Sequence, residues 1–147
     1  MALKERIQED MKAAMRATER ERLGTVRLIL AAIKQREVDE RIALDDTQVL
    51  AVLEKMVKQR RESITQFQAG GRADLVAKEQ AELELLQTYL PEPLDDASID
   101  TLISAAIAQT GATSIKDMGK VMAILKSQAA GRVDMGALGA RVRSRLG

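Results

Sequence analysis

Apolar residues recur every three or four positions along nearly the whole of this chain, a period that suits helices and not strands. Leu3, Ile7, Met11 and Ala14 form one stripe, and Val26, Ile29, Leu30 and Ile33 form a second. A third runs Val49, Val52, Leu53, Met56, Ile64, Phe67. The 46% hydrophobic content lies almost wholly in Ala, Leu, Ile, Val and Met, with Phe67 and Tyr89 the only aromatic residues, which again favours helix over sheet. The spacing predicts three helices before residue 70. Asp45-Asp46-Thr47 supplies side-chain oxygens to cap the third, Gly70-Gly71 supplies its stop, and Asp74 is placed to cap a fourth that runs to Tyr89.

Both prolines fall in Tyr89-Leu90-Pro91-Glu92-Pro93-Leu94. Each restricts itself and its predecessor to non-helical geometry, so the domain boundary is drawn there. Beyond it, Asp95, Asp96 and Ser98 open a fifth helix ending at Gly111. Ser114-x-x-Asp117 has the form of a capping arrangement for a sixth helix ending at Gly131, and Asp134 can cap a seventh. The expected architecture is all-α: an N-terminal bundle of about four helices over residues 1–90, then a small three-helix domain over 91–147.

Cysteine and histidine are both absent. Disulfides, thiolate nucleophiles, structural zinc sites and Ser-His-Asp triads are thereby excluded, and any chemistry would fall to Asp, Glu, Lys, Ser or Tyr. No phosphate-cradling G-x-x-x-x-G-K-[ST] run is present. The expectation is a chain that is not an enzyme and needs no cofactor or metal. The N-terminus mixes acids and bases at once, and the longest apolar stretch, Val26 to Ile33, is broken by Arg27. That is far short of the roughly 18 apolar residues of a membrane span, and the chain is expected in the cytoplasm, away from membranes.

Charge is unevenly spread although the net is only +1. In the first 90 residues 16 bases match 16 acids. There, Lys58-Gln59-Arg60-Arg61 could touch phosphates, but Glu54, Lys58 and Glu62 at i,i+4 spacing look like an ordinary solvated helix face. Glu79, Glu82 and Glu84 likewise read as solvated surface. Residues 116–147 differ, because Lys116, Lys120, Lys126, Arg132, Arg141, Arg143 and Arg145 face only Asp117 and Asp134. Gathered on one surface they would suit a polyanion, helped by oriented amides at helix starts near Ile115 and Met135. Equally, Arg141, Arg143 and Arg145 could simply complement the dipole of the last helix. Gly119 sits inside an otherwise good helix at a cost of about 1 kcal/mol. Either a neighbouring helix packs against its bare backbone or a ligand does. Residues 90–147 contain no aromatic side chain, so RNA contact there would follow backbone shape and charge, not base stacking.

The run Asp117-Met118-Gly119-Lys120-Val121-Met122, followed by Gly131-Arg132-Val133-Asp134, together with Lys58-Gln59-Arg60-Arg61-Glu62-Ser63 and Tyr89-Leu90-Pro91, resembles the YqeY family. The resemblance covers essentially the whole chain. It implies two all-helical parts, the second similar to the tRNA-recognising tail domain of the GatB subunit of glutamine-dependent aminoacyl-tRNA amidotransferases. The family's Met-Gly-Lys-Val-Met segment falls on Met118 to Met122 and its Gly-Arg turn on Gly131 and Arg132. Two departures are Val133, where a small residue is usual, and Gly136 with Gly139 in the last helix.

The first expectation is therefore an accessory protein that binds structured RNA, with tRNA the class implied by the resemblance, through Lys116, Lys120, Lys126, Arg132, Arg141, Arg143 and Arg145. Replacing Lys120 and Arg132 with Ala is then expected to weaken binding and leave stability nearly unchanged. A second reading is a protein-interaction module whose N-terminal helices meet an amidotransferase or a synthetase. A third is a component of a glutamine-dependent carbon–nitrogen ligase, though kinship of fold does not by itself transfer chemistry.

Overall fold

A computed structural model describes residues 2–147, and the described residues form seven α-helices and no strand. The helices are α1 (Leu3–Arg16), α2 (Arg20–Glu40), α3 (Asp46–Ala69), α4 (Ala73–Thr88), α5 (Asp96–Thr110), α6 (Met118–Ala129) and α7 (Met135–Leu146), with a 3₁₀ turn at Ile115–Asp117 leading into α6. The chain divides into two compact units between Leu90 and Pro91.

Aspartate side chains cap the starts of three helices, α3, α5 and α7. Asp45 closes a capping box on α3: its carboxylate accepts from the Gln48 amide at 2.8 Å, and the Gln48 side chain accepts from the Asp45 amide at 2.9 Å. Asp95 accepts from the Ser98 amide at 2.7 Å, and Asp134 accepts from the Gly136 amide at 2.9 Å. Asp74 does not cap α4. That helix begins one residue earlier, at Ala73, so the Asp74 carboxylate lies within the first turn, held by the Arg72 guanidinium at 3.1 and 3.2 Å. Ser114 makes no side-chain cap either; only the reaching-back half of that arrangement forms, with Asp117 accepting from the Thr113 amide at 3.0 Å. Two helices close on a left-handed residue other than glycine: Thr18 follows α1 at φ 57° and Arg41 caps α2 at φ 56°, a conformation that non-glycine residues seldom adopt.

In the N-terminal unit, α1 packs along α2 and α3 packs along α4. The three sequence stripes converge on Ile7, Val26, Ile29, Ile33, Val49 and Leu53, all essentially fully buried. Each such aliphatic side chain contributes about 1.5–3 kcal/mol by leaving water. Phe67 is only half-buried at the far end of its stripe. Polar side chains also join the elements. Arg60 on α3 donates through Nε to Glu82 at 2.7 Å and stands 3.3 Å from Glu79, both on α4, and all three side chains are less than one-fifth exposed. The expected solvated faces are therefore corrected at these residues, because α4 lies against the Arg60 side of α3. At the end of α4, Tyr89 is buried under Arg6, whose guanidinium sits 5.1 Å from the ring centroid.

The C-terminal unit has its own core, in which Ile103, Val121, Leu125, Leu138 and Val142 are all but fully buried. Gly139 lies where α7 meets α6. An added Cβ there would stand 3.6 Å from the Met118 methyl and 4.0 Å from that of Met122, ordinary contact distances.

Candidate nucleic-acid interface

The buried face of α6 is Val121, Leu125 and Ala129, a spacing of four that fixes what points outward. Lys120 lies on the opposite side. Lys116 in the preceding 3₁₀ turn and Gly119, Ala123 and Ser127 along the helix complete an exposed row with it. Lys126 is exposed on one flank of that row. On α7, Leu138 and Val142 are buried, so Arg141 and Arg145 share one flank and Arg143 takes the other. Arg143 stands one turn beyond Gly139, on the side of α7 that meets Met118 and Met122.

The seven cations do not form one patch. Arg141 turns to Asp96 of α5 at 3.2 Å, and Arg145 donates to the Ser104 hydroxyl at 2.8 Å. Arg132 serves the backbone: its Nε donates to the Glu92 carbonyl oxygen at 2.9 Å, while the Leu94 amide donates to the Arg132 carbonyl at 2.9 Å. This two-point clip fastens the proline-containing entry segment to the turn between α6 and α7. Among the described residues, Lys116, Lys120, Lys126 and Arg143 make no ion pair and no side-chain hydrogen bond. The sequence could not separate these four from the other three, because the partners of the three come from α5 and the entry segment, some 40 residues away along the chain.

The helix starts also differ from expectation. The Asp117 carboxylate sits on the Thr113 and Ser114 amides, which, with Lys120 nearby, holds its pKa below the ordinary aspartate value. Asp134 accepts from the amide of Gly136, the second residue of α7. Each start therefore already carries a carboxylate of the chain, which repels an incoming anion.

Gly119 resolves one open alternative. An added Cβ would meet nothing within 4 Å, so no neighbouring helix accounts for the glycine. Its bare backbone faces outward beside Lys120 and one turn from Lys116. A groove of about 380 Å³ elsewhere in this unit is lined by Leu94, Asp95, Ser98, Thr101, Gln128 and Arg132. Its two charges are opposite, and it has no ligand-like donor set. Among the described residues no cluster of His, Cys, Asp and Glu could hold a metal ion, and no helix is long and apolar enough to cross a membrane.

Comparison with known proteins covers nearly the full chain. The family model described as Yqey-like protein matches residues 4–146. Curated relatives share the name "Altered inheritance of mitochondria protein 41, mitochondrial". The one from Eremothecium gossypii is 42% identical over 69% of this chain and 56% of its own length. The one from Pyrenophora tritici-repentis is 34% identical over 84% of this chain and 71% of its own, and that from Vanderwaltozyma polyspora is 29% identical over 76% and 64%. The chain thus spans a little over half to about seven-tenths of the relatives it matches. Their names overturn the cytoplasmic expectation. Mixed charge at the first residues and the want of a membrane-length apolar run are its grounds, and neither property tells one aqueous compartment from another.

Proposed function

Because this chain belongs to the YqeY family, we propose that its C-terminal unit grips structured RNA, tRNA by the resemblance of that unit to the GatB tail, and does no chemistry of its own. The observation that carries the reading is the outward face of α6, where Lys116 and Lys120, neither held in an ion pair, stand on either side of a glycine with nothing over it. A helix without a side chain at that point lets a sugar-phosphate strand come close to the backbone, while the two ammonium groups meet its phosphates as mobile point charges. Lys126, one turn beyond Met122, and Arg143, one turn beyond Gly139, extend the field along the flank of α6 that meets α7. Arg132, Arg141 and Arg145 are assigned to holding the fold, since each has a donor engaged within the unit.

The experiment is a filter-binding titration of a tRNA transcript with the whole chain at low salt. Lys116→Ala with Lys120→Ala is expected to weaken binding by about tenfold or more, whereas Arg145→Ala has little effect on affinity. Equal losses from both, or no binding by the unmodified protein, would overturn the reading. The same preparation is expected to release no ammonia from glutamine. Glutaminase activity would favour the carbon–nitrogen ligase reading instead.

A further inference from the structure

The N-terminal unit carries a feature that the RNA reading does not use. On α2 the buried positions are Thr25, Val26, Ile29 and Ile33, and the opposite side holds a second, outward periodicity. Gly24, Leu28, Ala31, Gln35 and Val38 follow one another at alternating steps of four and three, the spacing of a coiled-coil seam, and Ile42 comes just after the helix ends. All are exposed, with Leu28 at 48%, Val38 at 60% and Ile42 at 42%. An added Cβ at Gly24 would meet nothing within 4 Å. Arg20, Arg27 and Lys34 run along one border of this seam at intervals of seven residues, about 10 Å apart on a helix, and Arg41 caps its end in the left-handed conformation. Among the described residues none of the four makes an ion pair or a side-chain hydrogen bond, although Arg22 and Arg36 on the same helix pair with Glu19 and Glu40.

We propose that this face of α2 docks an amphipathic helix of a partner protein that carries carboxylates at seven-residue intervals. The small residues Gly24 and Ala31 admit a close helix, Leu28 and Val38 supply the apolar contact, and the basic border selects the partner's charge. A second copy of this chain fits poorly. Paired antiparallel it would set Arg27 and Lys34 against the same cations, and paired parallel it would offer them Thr25, Ala32 and Asp39, of which one is acidic. A membrane surface fits poorly too, because the seam contains Gln35 and two small residues and no aromatic anchor.

The test uses the full chain and two synthetic helical peptides with the same Leu/Ala seam, one flanked by Glu and the other by Lys, read by fluorescence anisotropy. The unmodified protein is expected to bind the Glu peptide at least about tenfold more tightly. Arg27→Glu with Lys34→Glu reverses that preference, and Val38→Asp abolishes binding of both peptides with an unchanged thermal melt. Failure to discriminate the peptides, or failure of the charge reversal to switch the preference, overturns the proposal. So does a dimer that Val38→Asp dissociates, or loss of tRNA or anionic-vesicle binding in these variants without any peptide binding. Loss of RNA binding confined to Lys116 and Lys120 variants leaves this proposal intact, so the two readings fail separately.

Discussion

The Tyr89 hydroxyl donates a 2.6 Å hydrogen bond to the Asp10 carboxylate, joining α1 to the last turn of α4 across 79 positions of sequence. Burial of the ring, with the Asp10 carboxylate beside it, raises the hydroxyl's pKa above its ordinary value of 10.0. Folding therefore favours the protonated phenol. The associated stability is present below pH 10 and is lost as pH climbs beyond that. In Tyr89→Phe this alkaline loss should disappear, and at pH 7 the variant should be about 1–2 kcal/mol less stable. Urea denaturation of both proteins at pH 7 and pH 11 measures the two effects; parallel losses at both pH values would show that the bond contributes no linkage.

Glu37 gives the opposite sign. It accepts from Lys4 Nζ at 2.8 Å and from the Leu44 amide at 2.9 Å, interactions that lower its pKa from 4.5, with the Lys4 hydrogen bond the larger cause. The contribution is present above pH 4.5 and fades as pH falls through the lowered value. Glu37→Gln should flatten the fall in melting temperature between pH 6 and pH 3, and an unchanged slope would remove Glu37 from the acid response.

Arg60 serves two carboxylates at once, and Glu79 Oε2 is buried without a hydrogen bond of its own. Removing the cation leaves two like charges face to face. Arg60→Met is expected to destabilise by about 2–4 kcal/mol, and adding Glu82→Leu to recover part of that. Chemical denaturation of the single and double variants decides it; additive losses would mean that the three side chains act independently.

Arg132→Ala breaks the clip to the Glu92 carbonyl. A loss of about 1 kcal/mol is expected, seen as a lower melting temperature, with Arg132→Lys restoring little because the ammonium cannot reproduce the Nε geometry. This departs from the sequence expectation that the position could be emptied without cost to the fold.

If Lys116, Lys120, Lys126 and Arg143 meet up to four phosphates, the logarithm of tRNA affinity should fall against the logarithm of salt concentration with a slope of roughly −2 to −4. A slope near zero would mean that these ammonium and guanidinium groups take no part.

Much of the fold could be read from the chain because its determinants are local. The stripe from Val26 to Ile33 and the cap at Asp45 depend on neighbours within one or two turns. Thr18 and Arg41 could not be read this way, since nothing in a threonine or an arginine announces a left-handed residue; packing between helices imposes it. Cation placement was the least legible. Arg141 and Arg143 are chemically alike and two residues apart, yet α5 lies against one flank of α7 and not the other, so one is paired and the other free. The seven-residue recurrence on α2 was available in the sequence, hidden beneath the stronger inward stripe of the same helix.

Gly119 sets endurance against recognition. Alanine would fit there without a clash and should favour the helix by about 0.5–1 kcal/mol. A laboratory selection for heat resistance alone would therefore replace this residue early, and the survivors would be sturdier proteins with a methyl group where the proposed RNA strand would lie.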